Sequence, residues 1–503
     1  MKVTLLNPAV NFDRQFGTLQ DFYTPIPSIA LAYIGAVLLE DGFEVSGIDS
    51  FMACHTSEEM YDAVVKESPD ILGISLLTPC APLIDPILMR VREAVPGIRI
   101  VLGNIHGSRF ASHYLQSGLA DFCIHHEGEE TMLDLCQQLR EKKTTVNVEG
   151  ISFYDPKAGK VVRTKPRAWI NKLVLDEMPY PAWDLFPVDQ FKPDIRLLGS
   201  SKRDKNAEVQ ALPLLSSRGC PWNCTFCSPV NTIGNKYRAR TPKSIVDEME
   251  YFYKKWGVLT FYNMDLTFPI SEKKGLEFCD HLIERNLPLQ WACETRVNAV
   301  TYKLLKRMKE SGCIRVDYGI ECGNQKMLDS INKGFTVQQV VDAVEATNRA
   351  GLESEGLFII GLPGETRQDT LDTINFACSL PLDHIKLNLF VPYPGSDIWD
   401  NLSASGSLTN MDFNEYTSYP TYTGGQVAYI PEGRSHEELI ELQSWGMRKA
   451  MFRWRVIKRE LVHFKPDKIK EYWGAVWSLL RPKGMDERNT IGAATYEVDR
   501  GSS

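Results

Sequence analysis

The sequence has no run of the roughly 20 uncharged apolar residues that a membrane-spanning helix requires. It opens MKVTLLNPAV, without the apolar stretch and small-residue cleavage site of a secretory leader, so a soluble, cytoplasmic protein is expected. Basic residues are in deficit, 56 Lys and Arg against 64 Asp and Glu, a net charge of -8. Neutralising phosphates needs clustered cations, so the balance argues against a nucleic-acid-wrapping surface and a small-molecule substrate is expected. A disulfide framework is missing as well. Most of the 12 cysteines stand singly in apolar segments such as ADFCIHH and LQWACETR, as reduced core residues do.

What is present is an α/β alternation long enough for more than one domain. VTLLNP, FEVSGID, DILGISLL, IRIVLGN and ADFCIHHEG read as strands, and PSIALAYIGAVLLEDG, a polar helix through Tyr61 to Lys66, IDPILMRVREAVPG and TMLDLCQQLREK as intervening helices. Nearly saturated apolar strands between amphipathic helices predict a parallel sheet covered on both faces, a doubly wound, Rossmann-like domain over residues 1–145. Residues 146–205 lose the alternation. VEGISFYDPKAGKVVRTKPR predicts a hairpin turning at Pro156 to Gly159, and DEMPYPAWDLFP continues neither helix nor strand, so a structured linker is expected.

From Leu212 the alternation returns. LPLLSSRG, VLTFYNMD, LQWACETR, IRVDYGIE, ESEGLFIIG and HIKLNLFVPYPG are strand candidates, with helices at 242–255, 271–285, 301–311, 336–350 and 367–380. Right-handed crossovers curl such a series into a partial (β/α)6 TIM-like barrel, assigned to 206–405, whose chemistry belongs at the strand C-terminal ends. Residues 406–503 are expected to be mostly helical, with a mobile polar tail from 485; Trp445, Trp454, Trp473 and Trp477 there are candidates for core packing or for stacking on a flat substrate.

One stretch, RGCPWNCTFCS at 218–228, gathers Cys220, Cys224 and Cys227 just after the first barrel strand. A structural zinc needs four ligands, usually as paired knuckles, and the chain has no second pair. A [4Fe-4S] cluster held by three thiolates keeps one iron without a protein ligand, open to an exchangeable one.

This CxxxCxxC segment, with Phe226 before its last cysteine, resembles the signature of the radical S-adenosylmethionine superfamily. The resemblance implies that the open iron chelates S-adenosylmethionine and that an electron from the cluster cleaves it to methionine and a 5'-deoxyadenosyl radical. It further implies cofactor contacts: Asp265 in FYNMDLTF with the methionine amine, although Leu266 stands where a second acid is usual; Glu294 and Arg296 in CETRVNAV with the methionine carboxylate and ribose; Glu321 in YGIECGN with the ribose or amine; Ile359 and Gly361 in FIIGLPGET with the adenine. The alternatives are a helix-terminal acid at Asp265, rim salt bridges at Glu321 or Arg296, and a structural Glu365 in a tight turn.

Residues 1–405 as a whole resemble the cobalamin-binding branch of that superfamily, through NPAV, GISLL, VLGNIHG, HHEGEE and the Pro-rich linker. The resemblance implies a corrin on the strand ends with its nucleotide tail in the sheet, near Ser75 and Leu77 of an SxL element, Gly103 and Asn104, and within approach of His106. The DxHxxG motif that supplies an axial histidine in many cobalamin proteins is absent after the first strand, where NPAVNFD stands. The implied activity is methylation of an unactivated carbon of a small molecule, with an electron donor such as flavodoxin or ferredoxin. A cyclisation, rearrangement or oxidation with the same cofactors, on a porphyrin-like substrate for example, and a radical-free scaffold or electron carrier are the alternatives.

Overall fold

A computed structural model describes residues 1–23, 25–141, 147–191, 209–408 and 410–462. Trp473, Trp477, the polar tail and the second part of the predicted linker lie outside the described residues. No described helix is long and apolar enough to cross a membrane.

The N-terminal sheet contains β1 (Lys2–Asn7), β2 (Glu44–Asp49), β3 (Ile71–Ser75), β4 (Arg99–Gly103), β5 (Phe122–Ile124), β6 (Ile151–Asp155) and β7 (Lys160–Arg163). Their spatial order is β2-β1-β3-β4-β5-β6-β7, parallel as far as β5, so the chain reverses direction of travel at β1 and β3. In doubly wound sheets ligands bind outside the strand C-terminal ends at such a switch. The hairpin predicted inside the linker is present, but it pairs antiparallel with β5 and extends this sheet to Arg163, past the expected boundary at 145. The period-2 pattern signalled the hairpin, whereas nothing local to it signalled its partner.

The Pro-rich run does not hang between domains. Ala182 N–H donates to Ala32 O, Trp183 is fully buried, and Leu185 fills the space left by Gly35, where a Cβ would lie 2.6 Å from Leu185 Cδ1. The linker is thereby packed on the helix Ile29–Glu40, and one apolar core runs from Leu5 and Leu31 through Trp183 to Phe252 of the second domain.

That second domain is built on β8 (Ala211–Leu214), a short ribbon of β9 (Ser217–Arg218) with β10 (Arg238–Ala239), and then β11 (Thr260–Asn263), β12 (Gln290–Thr295), β13 (Cys313–Glu321), β14 (Glu353–Ile360) and β15 (His384–Leu389). Six parallel strands in the order β15-β14-β13-β12-β11-β8 form the expected partial barrel. Its helices start where side chains cap them: Thr336 with Gln339 and Thr366 with Asp369 form reciprocal capping boxes. The helix His436–Met451 lies against β15, with Gly446 opposite Leu387 and Ile374. It supplies the covering helix that the last strand otherwise lacks. Trp445 packs on the core there, the first of the two roles expected of it, and Trp454 is 72% exposed.

Candidate functional site

The cysteine loop leaves β9 through Gly219, whose φ of +79° and whose hypothetical Cβ, 2.2 Å from Lys236 O, admit only glycine. Main-chain bonds from different elements then fix it: Cys220 N to Gly234 O at 3.1 Å, Thr225 N to Ile331 O at 3.1 Å, and Ile398 N to Thr225 O at 3.0 Å. Burial and the neighbouring thiols raise the pKa of Cys220, and that of Cys227 to about 12. A cationic iron–sulfur core would relieve the cost of ionising Cys220 and Cys227, and thiolates are the soft donors that such a cluster takes.

Asp265 departs from its expected role. Its carboxylate accepts from Ser216 N (2.8 Å), Ser217 N (3.0 Å), Ser217 Oγ (2.6 Å) and Ser216 Oγ, which uses all four acceptor sites. It is 1% exposed and ties β11 to the residues entering the cysteine loop, so it is an anchor for that loop and not a contact for the methionine amine.

Arg296 and Glu321 border the loop. Arg296 donates to Cys224 Sγ at 3.4 Å and to Lys333 O, and lies over the Trp222 ring at 4.4 Å. Glu321, in a left-handed conformation at φ +69°, pairs with Lys333 Nζ at 2.7 Å, and Lys333 in turn sits 5.5 Å over the Phe226 ring. The sequence reading missed Lys333, because INKGF lies in a loop with no ligand spacing. Ile359, the last residue but one of β14, lies opposite Asn388, and Gly361 turns the chain out of the strand at φ +81°. Glu365 closes that turn by accepting from Leu362 N at 2.7 Å, the structural alternative.

Toward the barrel interior, register places Glu294 beside Asp317 and Leu357 beside Lys386. Arg315 pairs with Asp317 (2.7 Å), Lys386 with Glu355 (2.7 Å), and Tyr262 donates to Asp317 at 2.7 Å. Glu294 has no such cation against it. Burial, then the charges of Asp317, Glu355 and Glu321, outweigh Lys386 and raise its pKa to about 7, so a carboxyl able to give or take a proton near neutrality faces the interior.

The N-terminal strand ends enclose a cavity of about 280 Å³. Leu5, Gly73, Ser75, Val101 and Gly103 form one wall, and Ser228, Pro229, Thr232 and Ile233, which directly follow the last cysteine, form the other. A Cβ at Gly103 would meet nothing nearer than Ile74 O at 3.9 Å, so any side chain there would occupy the cavity itself. Among the described residues, Glu129 Oε2 has no hydrogen-bond partner and is buried in this wall. A groove of this size, with a bare glycine and a spare acceptor, fits the nucleotide tail of cobalamin. Asn104 Nδ2 donates to Ser75 Oγ at 3.1 Å, and Leu77, also lining the cavity, is 45% exposed.

His106 is not part of this wall. It is fully buried, its ring nitrogens lie 3.3 Å from Thr78 Oγ1 and 3.1 Å from Tyr114 OH, and it packs on Phe110 and Phe413. Burial pushes its pKa down to about 3. The expected approach to a corrin is therefore corrected: this is a neutral core histidine.

The chain is similar to known proteins over most of its length. A family model described as the radical SAM superfamily matches residues 214–377, and one described as a B12 binding domain matches residues 18–136. The chain is 30% identical over 396 residues to an uncharacterised methyltransferase of Pyrococcus horikoshii, spanning 78% of this chain and 82% of that one. It is also 30% identical over 400 residues to an anaerobic magnesium-protoporphyrin IX monomethyl ester cyclase of Rubrivivax gelatinosus, 78% of this chain and 68% of that one. In fold it is similar to the radical S-adenosylmethionine methyltransferase TsrM from Kitasatospora setae with cobalamin and [4Fe-4S] cluster bound, with a TM-score of 0.67 at 16% identity over 88% of this chain and 90% of that one.

Proposed function

This chain belongs to the radical S-adenosylmethionine enzymes that carry a B12-binding domain, and from that premise we propose that it methylates an unactivated carbon of a small molecule. When bound, the cluster supplies the electron that cleaves S-adenosylmethionine, and cobalamin carries the methyl group. The observation that carries the reading is the shared wall: residues 228–233 run from the last cluster cysteine straight into the N-terminal cavity, so both cofactor sites abut one segment.

Each group of residues then has a task. Cys220, Cys224 and Cys227 hold the cluster, and Asp265 keeps their loop closed. Arg296 and the Lys333–Glu321 pair present charge beside it, where the carboxylate and amine of S-adenosylmethionine are recognised. Gly73, Ser75, Gly103 and Asn104 admit the nucleotide tail. Glu294 faces the substrate from the barrel interior and binds a hydrogen-bonding group on it. Reducing equivalents come from a small cytoplasmic electron carrier of the flavodoxin or ferredoxin kind.

The test is anaerobic reconstitution with iron, sulfide and hydroxocobalamin, followed by incubation with S-adenosylmethionine labelled in its methyl group and a metabolite extract. Release of 5'-deoxyadenosine together with a product that has gained the labelled methyl is expected. Failure of the reduced, loaded protein to cleave S-adenosylmethionine overturns the reading. The likeness to a ring-forming cyclase favours a second one, closure of a ring with the same cofactors; its signature is a product that loses hydrogen and gains no label.

A further inference from the structure

The cysteine loop is gripped at both ends of its neck. Arg218 and Arg238 are register partners in the β9–β10 ribbon, so two guanidinium groups flank the loop where it leaves and rejoins the barrel. Each is answered by a carboxylate from the other domain: Arg218 by Glu129 at 2.6 Å, and Arg238 by Glu127 at 2.8 Å. All four side chains are nearly buried, 10% and 11% exposed for the arginines and 4% for the acids.

Arg238 does more than neutralise charge. It donates to Ile170 O of the linker and to Ile233 O at the end of the helix Val230–Ile233, each at 2.8 Å, and lies 5.4 Å over the Trp169 ring. One planar fork therefore joins the N-terminal domain, the linker and the cavity wall that continues from Cys227. Lysine has the charge but not the fork.

A buried ion pair is a poor source of stability, because desolvation cancels most of its attraction. What it does fix is geometry. The N-terminal domain and the barrel already share a large apolar core, which would hold them together at many slightly different angles. A four-way guanidinium junction permits one.

We propose that Arg238 is a positioning residue that clamps the neck of the cysteine loop to Glu127 and so sets the distance and angle between cluster-bound S-adenosylmethionine and the cobalt of cobalamin. The inference rests on the proposed function, in that both cofactors must bind. It separates two reactions of the loaded enzyme that need no organic substrate. Cleavage to 5'-deoxyadenosine takes place within the barrel. Release of S-adenosylhomocysteine requires the sulfonium methyl to reach cobalt: the S–CH3 bond breaks with its electron pair left on sulfur, and the new Co–C bond uses the pair of cobalt reduced to cob(I)alamin by titanium(III) citrate. Only this transfer crosses between the domains, and a misplacement of about 1 Å costs such a transfer on the order of 100-fold.

The experiment compares wild type, Arg238→Gln and Arg238→Lys, each carrying cluster and cobalamin, under titanium(III) citrate. In R238Q saturated with hydroxocobalamin, S-adenosylhomocysteine release is expected to fall by about 100-fold, with 5'-deoxyadenosine release per cluster close to wild type; R238K recovers part of the loss. In the cofactor-free proteins, amide exchange over residues 228–234 rises in R238Q and less in R238K, a readout independent of turnover. Equal loss of both products in R238Q and R238K, or full S-adenosylhomocysteine release in either, overturns the proposal. If R238Q does not fold, R238K decides alone on the same ratio. A wild-type enzyme that binds cobalamin and yet makes no S-adenosylhomocysteine fails the proposed function instead, so the two failures are distinct.

Discussion

The guanidinium of Arg296 donates to the sulfur of Cys224 across 3.4 Å, while its ring-stacked plane covers Trp222. A charged donor on a cluster thiolate stabilises its anionic form and raises the reduction potential of the cluster. Without it the cluster is harder to reduce, so Arg296→Met is expected to load iron normally, to shift the cluster potential downward and to lower the rate of S-adenosylmethionine cleavage by roughly 10- to 100-fold. Iron content and 5'-deoxyadenosine release, measured on one preparation, check this; lost iron would mean that the side chain only holds the loop.

Asp265 gives the opposite pattern. Removing a buried carboxylate that accepts four hydrogen bonds leaves four donors orphaned, a cost on the order of 3 kcal/mol or more. Asp265→Ala should lower the Tm and the iron bound per chain together. Normal iron with weakened S-adenosylmethionine binding would instead return Asp265 to direct contact with the cofactor.

Glu294 makes stability depend on pH. Its folded pKa of about 7 stands above the value of an unfolded glutamate, so the native state holds the proton more tightly. The stabilisation is complete below about pH 4 and is lost as the pH rises through 7. Glu294→Gln, which keeps a neutral side chain at every pH, should match wild type at pH 4 and exceed its Tm at pH 8. Parallel Tm curves from pH 4 to 8 would contradict this.

At Gly103 the expected change is confined to the N-terminal cavity. Gly103→Leu meets no protein atom at its Cβ closer than 3.9 Å, so the fold tolerates it while the side chain occupies the ligand's space. Hydroxocobalamin affinity should fall by about 100-fold or more, the equivalent of roughly 3 kcal/mol, with iron loading retained. Absorbance titration of the variant reads the first and iron analysis the second.

For His106 the prediction separates core from cofactor. His106→Ala removes a buried ring bonded at both nitrogens and should destabilise the fold by about 2–4 kcal/mol. The visible and paramagnetic spectra of bound cobalamin should not change, since the ring lies outside the cavity wall.

The barrel was legible because six strands and five helices repeat a local pattern, and every helix predicted between its strands is found within a residue or two of the expected ends. The cysteines were legible because their spacing is itself the signal. What stayed hidden depends on contacts distant in sequence. Asp265 looked like a cofactor ligand because its motif names a residue type, whereas its partners, Ser216 and Ser217, lie almost 50 positions away. Arg238 and Lys333 sit in segments without periodicity or ligand spacing and Lys386 in a strand whose pattern names no partner, so only the packed structure brings Glu127, Glu321 and Glu355 to them. The hairpin Ile151–Arg163 shows the same limit: its turn chemistry is local, its sheet is not.

The helix Phe12–Gln15 and the loop that follows it are latched to the far end of the chain: Arg14 pairs with Glu415 at 2.6 Å, and Thr417 donates to Gln15 O at 2.6 Å. These partners are 401 and 402 residues apart. At a ribosomal pace of about 5–20 residues per second, the first helix waits on the order of 20–80 s for them. The first helix is therefore held by contacts that exist only once the whole barrel has been made, so the N-terminal domain reaches its finished form last at the very segment that is synthesised first.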